Sequence, residues 1–376
     1  MADNIYRRFG LDDVINAAGK MTALGGTAQS DAVAQAQADA ARGHVDLEAL
    51  RRRAGEFVAR HTGAEAASIT TGAAAGIAIA VAACITGTQL DRVLRIPQTE
   101  GLDRRVLLQA AHDINFGASV TQMIRLGGGE PTIVGWVNNV PKALLERAFA
   151  ATDLVAFVYV QSHHSVQEQM VPLVDCVAIA HRHRVPVIVD AAAEEDLRAY
   201  VALGADLVTY SGGKAIGGPT AGFIAGRRDL IDACEIQQRG IGRAMKVGKE
   251  QIVGLMTALE RYAERDAAAD RARLTSIVGI LASGLSGVNG LHTYVKPDEA
   301  GRGIERLALE RSDGGDIREL VRFLATGSPS IRTRNHHLDD GVALVDPREI
   351  DDAQARTIVA RVRAFFDTLD NTRKKG

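Results

Sequence analysis

The stretch VPVIVDAAAEEDLRAYVALGADLVTYSGGKAIGGPTAGFIAG (Val185–Gly226) holds two short β-branched runs, VPVIVD and DLVTYS, with a segment of helical composition between them. A strand, a crossover and a second strand make one unit whose strands end at the same edge of a sheet. Asp190 closes the first run and Lys214 follows the second, so both side chains are expected at neighbouring strand tips, where ligands of such sheets bind.

The same alternation extends outward. Ala66–Thr70 runs into the helical TTGAAAGIAIAVAACI, Arg105–Ala110 and Leu154–Val160 are further strand-like runs, and DLEALRRRAGEFVARH (from about residue 47 to 62) has amphipathic helical spacing. This predicts an α/β fold with a mainly parallel central sheet and helices on both faces over roughly residues 45–245. Residues 1–45 are read as an N-terminal segment contributing to a small domain and the active-site entrance, and 46–248 as the large domain. The unbroken helical pattern QIVGLMTALERYAERDAAADRARLTSIVGILASGL predicts one connecting helix over 249–270, followed by a small α+β domain over 271–376.

Composition removes several function classes. A formal charge of −2 without long charge blocks gives no footprint for nucleic acid or an anionic membrane, and 4% aromatic content is poor for base stacking. Cys84, Cys176 and Cys234 form no CxxC pair, which implies a reducing compartment. The start MADNIYRRFGLDD lacks the apolar core of a secretion signal, and Ala73–Ile85 is too short to span a bilayer, so a cytoplasmic location is expected.

A carboxylate beside a lysine amine at adjacent strand tips suits pyridoxal 5'-phosphate (PLP). The carboxylate of Asp190 keeps the ring nitrogen protonated, and the amine of Lys214 forms the Schiff base and shuttles protons. A solvated loop lysine is the plain alternative. Against it stand Ser211, Gly212, Gly213, Gly217, Gly218 and Gly222, which leave room for backbone to approach a ligand. Thr71, Gly72, Ala73 and Ala74 lie where a strand yields to a helix, so their N–H groups suit the cofactor phosphate, to which Ser211 can add a hydroxyl.

Taken together, TTGAAAG, VIVDAAAEED and TYSGGKAIGGPTAGFIAG resemble fold-type I PLP-dependent enzymes, in the branch related to selenocysteine synthase that includes D-glucosaminate-6-phosphate ammonia-lyase. INAAGKMTALGG, HDINFGASVTQMIRLGGG, SHHSVQEQMVPL and RAMKVGKEQI share the likeness, which runs from about residue 14 to 260. The resemblance implies that His112 sets a ring over the PLP face, and that His163 or His164 contacts the cofactor or substrate, with any of the three able to act as the acid. It implies a substrate carboxylate on Arg334, preferred to Arg332, with Asn16, Thr22, Gly25 and Gly26 at the entrance. Arg239, Arg243 and Lys246 would reach a phosphate across the interface of a homodimer or larger homo-oligomer. Adjacent histidines without a third ligand at diagnostic spacing give no reason to expect a metal site.

The reaction implied is α,β-elimination on a 2-amino-3-hydroxy acid, D-glucosaminate or its 6-phosphate, with Lys214 as base. The fold alone also permits an aminotransferase, racemase or C–C lyase, and a catalytically silent cofactor-binding protein stays open. A tRNA-dependent selenium transferase is disfavoured: residues 1–45 leave little room for a tRNA-gripping domain, and no basic stripe is present.

Overall fold

The computed structural model describes residues 4–150, 153–162, 165, 167–298 and 303–373. Its chain divides into two compact units, Met1–Ala28 with Arg265–Gly376, and Gln29–Glu264.

In chain order the strands are β1 (Val14–Ala17), β2 (Ala66–Thr70), β3 (Arg105–Gln109), β4 (Glu130–Val134), β5 (Leu154–Val160), β6 (Val187–Asp190), β7 (Leu207–Ser211), β8 (Gly222–Gly226), β9 (Leu291–Pro297), β10 (Glu305–Arg311), β11 (Ser330–Thr333) and β12 (Val342–Val345). The larger unit is built on a seven-stranded sheet ordered β2-β8-β7-β6-β5-β3-β4. Pairing is parallel except along β8, which runs antiparallel to both β2 and β7. Alternate side chains supply two cores. Phe157, Tyr159, Val189 and Tyr210 enter one, whereas Val158, Val160, Ile188 and Leu207 enter the other.

The helices include α1 (Asp31–Arg42), α2 (Leu47–Thr62), α3 (Ala73–Thr86) and α4 (Lys249–Ala263) in the larger unit, and α5 (Ala267–Leu285) in the smaller. α2 starts on Asp46, whose carboxylate accepts from the N–H groups of Glu48 and Ala49. α3 is the apolar run noted in the sequence; Ile77 through Ala82 are fully buried, so it is a core helix. No helix among the described residues is long and apolar enough to cross a membrane.

The sequence departs from the structure in three places. The single connecting helix is two helices, α4 and α5, because Asp266 turns out of the helical path and caps α5 by accepting from Ala268 and Ala269 N–H. The division between units falls there, after Glu264. Residues 29–45 cluster with the larger unit, where α1 packs along α4. The strands β4 and β8 were not foreseen, since Pro131 opens one and Gly222 and Gly226 bound the other.

The smaller unit contains the antiparallel sheet β12-β10-β9 and the parallel pair β1-β11. Its core joins Ile277 and Leu281 of α5 to Leu307, Leu309, Ile331, Ile358 and Phe366.

Candidate active site

The decisive edge of the large sheet is fixed by register. Asp190 pairs with Val160 on one side and Thr209 on the other, while Ser211 and Thr70 both pair with Gly222. The tips of β5, β6, β7 and β2 therefore share one edge with the start of β8. Adjacent strands lie about 4.8 Å apart, so β2 and β7, one strand removed from each other, are separated by roughly 10 Å.

Asp190 is buried, at 6% exposure. Its Oδ1 accepts from the Thr209 hydroxyl at 3.2 Å and from Ala192 N–H at 3.2 Å. Burial pushes its carboxyl above the ordinary range, against the opposing pull of the Lys214 charge and these two donors. A carboxylate whose charge is costly where it sits gains most from a cationic partner. Lys214 is half-buried on the loop joining β7 to β8. That loop is closed by Gly212 N–H donating to Ala221 O and Gly218 N–H donating to Gly212 O, each at 2.7 Å.

The small residues serve packing as much as ligand approach. A Cβ on Gly212 would lie 2.9 Å from Leu255 of α4, and one on Gly218 would lie 3.1 Å from Ala258. A Cβ on Gly222 would come within 2.8 Å of the Gly72 Cα, so the turn of Thr71–Ala74 lies directly against β8. α3 begins at Ala73 with Gly72 as its N-cap. Its next turn runs beneath the site, where a Cβ on Gly76 would meet the Thr209 methyl at 3.0 Å.

His112 follows β3 as expected. It is fully buried. Its Nδ1 accepts from Val160 N–H at 3.3 Å, and its Nε2 faces Gln167 Oε1 at 3.3 Å. Tyr159 packs edge-on at 4.4 Å between centroids and also donates to Gln167 Oε1. Burial outweighs the Gln167 bond and pushes His112 down to about 4. The buried ring, with both nitrogens engaged, braces the end of β5. His163 and His164 lie outside the described residues.

In the smaller unit Arg334 is 8% exposed, whereas Arg332 is exposed. The Arg334 backbone bridges Leu344, and its Nη1 reaches only the Met21 sulfur, at 4.0 Å. Burial, then the nearby charge of Arg306, lowers its pKa. The Asn16 amide donates to Gly19 O and accepts from Ala18 N–H, so it shapes its own turn. Thr22 is exposed at the start of a short 3-10 turn that Gly25 closes, with Gly25 and Gly26 both at positive φ. Arg239, Arg243 and Lys246 are exposed on and just after two 3-10 turns of the larger unit.

The family model described as L-seryl-tRNA selenium transferase matches residues 168–286. D-glucosaminate-6-phosphate ammonia lyase of Salmonella typhimurium is 44% identical over 370 residues, covering 98% of this chain and 99% of that protein. The chain belongs to the selenocysteine synthase-related family of this lyase. A second relative, 5'-C-glycyluridine monooxygenase-decarboxylase of Streptomyces sp, is also 44% identical, over 96% of this chain and 92% of its own length. A solved structure of D-glucosaminate-6-phosphate ammonia-lyase superposes with a TM-score of 0.90 at 42% identity, covering 98% of this chain and 99% of that one. Serine palmitoyltransferase with PLP shares the fold-type I architecture alone, at a TM-score of 0.58 and 16% identity over 94% and 87% of the two chains.

Two features of this family member escaped the sequence reading. Thr209 is inconspicuous in TYSGGK, yet it supplies the side-chain hydroxyl on Asp190. Arg306 and Asp346, 40 residues apart, form a buried ion pair that no local pattern announces.

Proposed function

We propose that the chain is a PLP-dependent ammonia-lyase acting on a 2-amino-3-hydroxy acid, D-glucosaminate 6-phosphate or D-glucosaminate, to give a 2-oxo-3-deoxy acid and ammonia. The near-full-length identity to D-glucosaminate-6-phosphate ammonia lyase carries this reading. The buried carboxyl of Asp190, with one oxygen held by Thr209 and Ala192 and the Lys214 charge acting on it, fits the cofactor.

When bound, PLP would supply an electron sink for the α-carbon of an amino acid. Asp190 would hold a proton on the ring nitrogen, and Lys214 would carry the cofactor and serve as the base for the α-proton. Thr71, Gly72, Ala73 and Ala74 at the start of α3, with Ser211, hold the phosphate. Arg334 takes the substrate carboxylate through its planar fork. His163 or His164 protonates the departing hydroxyl, since His112 is neutral and fully engaged. One water leaves and one returns, so the net loss is ammonia. A cytoplasmic homodimer follows from the same reading, with Arg239, Arg243 and Lys246 exposed and able to reach a phosphate in a second copy.

The equally similar 5'-C-glycyluridine monooxygenase-decarboxylase supports a second reading, oxygen-dependent decarboxylation of an amino acid. Incubating the PLP-loaded protein with D-glucosaminate 6-phosphate, D-glucosaminate and 5'-C-glycyluridine, with and without oxygen, separates the two. Equal yields of ammonia and oxo acid without oxygen support elimination. Carbon dioxide release that requires oxygen, with no oxo acid formed, sinks it.

A further inference from the structure

The smaller unit holds a buried charge cluster with an unsatisfied donor. Arg306 donates through Nε to Asp346 Oδ2 at 2.7 Å and lies with Nη1 2.8 Å from Asp298 Oδ1. Arg348 donates to both oxygens of Asp346, from Nε at 2.9 Å and Nη2 at 2.8 Å. The side chains of Arg306, Asp298 and Asp346 are 4%, 3% and 0% exposed. Arg334 senses the charges of all four. Of these five described side chains three are cations and two are anions, and the charge of Glu349 also acts on Arg348.

Two donors point to the group that completes the set. Arg306 Nη2 is buried without a hydrogen-bond partner among the described residues. Arg334, more than nine-tenths buried, has the Met21 sulfur as its hydrogen-bond partner and makes no ion pair with a carboxylate among the described residues. An orphan donor and a buried cation without an ion pair are each costly, and one bound oxyanion relieves both.

We infer that Arg306 is a second anion-binding residue, its Nη2 donating to the same carboxylate that Arg334 takes, with Asp346 as the positioning residue that sets the plane of its guanidinium. This rests on Arg334 being the residue that takes the substrate carboxylate. It makes the site selective for a planar, singly charged carboxylate, because Asp298 and Asp346 repel the extra charge of a phosphate.

The test titrates acetate, and separately inorganic phosphate, into the PLP-loaded full chain and follows the thermal midpoint. Acetate is expected to raise the midpoint of the wild type. Arg306→Lys and Arg334→Lys each weaken that response roughly tenfold, and Arg332→Lys leaves it unchanged. Asp298→Asn raises the positive charge of the cluster and is expected to tighten acetate binding several-fold. A folded Arg306→Lys protein that keeps the wild-type response, while Arg334→Lys loses it, overturns the role of Arg306 and spares that of Arg334. If neither lysine variant loses it, both assignments fall. If Arg306→Lys does not fold, unchanged or weaker binding in Asp298→Asn overturns the inference. A response to phosphate without one to acetate overturns the carboxylate selectivity.

Discussion

Asp190 in the larger unit and Asp346 in the smaller are both buried carboxyls, at 6% and 0% exposure, yet their surroundings drive them in opposite directions. Burial wins at Asp190 and raises it, because its hydrogen-bond donors are a neutral hydroxyl and an amide, with only the Lys214 charge in opposition. Burial also disfavours the charge of Asp346, but bonds and charges from Arg348 and Arg306 outweigh it and hold that carboxyl at about 2. Burial alone therefore does not set the state of a carboxyl; the charge of its partners does. The first arrangement leaves a carboxyl awaiting a cation, the second a carboxyl already committed to holding arginines in place.

The contrast breaks most visibly at Asp190. Asp190→Asn keeps the shape and cannot hold a proton on the ring nitrogen, so kcat/KM should fall by about three to four orders of magnitude while the thermal midpoint of the cofactor-free protein is unchanged or raised. Steady-state kinetics beside calorimetry check both halves. Asp346→Asn should do the reverse to stability, leaving Arg306 and Arg348 poorly paired and costing about 3 kcal/mol in urea denaturation.

His112 sharpens the comparison through pH. Its folded pKa of about 4 lies below the ordinary histidine value, so the unfolded chain binds more protons between those limits. Stability is full above about pH 6.5 and declines as pH falls toward 4, by on the order of 2–3 kcal/mol from this group. Denaturation midpoints across that window should flatten in His112→Gln. The smallest effect is Thr209→Val, which removes the hydroxyl from Asp190 and keeps the methyl beneath Gly76. It should cost about 1 kcal/mol or less in stability and weaken PLP binding several-fold, measured by cofactor release.

The same contrast explains what could be read from the chain. Asp190 and Lys214 were legible because each sits at the end of a β-branched run, and strand ends in such a sheet fall together. The Thr71–Ala74 turn was legible as a strand-to-helix junction for the same reason. The break at Asp266 was hidden because its flanks, ERYAER and AAADRAR, keep helical composition, and only a capping side chain marks it. His112 is kept neutral by burial, and its hydrogen-bond partners Val160 and Gln167 lie 48 and 55 residues away, beyond any local pattern. The pairing of Arg306 with Asp346 likewise needs β10 to be set beside β12, and a long-range register is not written in local periodicity.

The central claim is that Lys214 carries the cofactor while Asp190 supports it. Reducing the PLP-loaded protein with borohydride and mapping the modified peptide by mass spectrometry tests this most directly. A phosphopyridoxyl group on Lys214, retained in Asp190→Asn and lost in Lys214→Ala, is the predicted result. Stoichiometric labelling of a different lysine in the wild-type protein would contradict it.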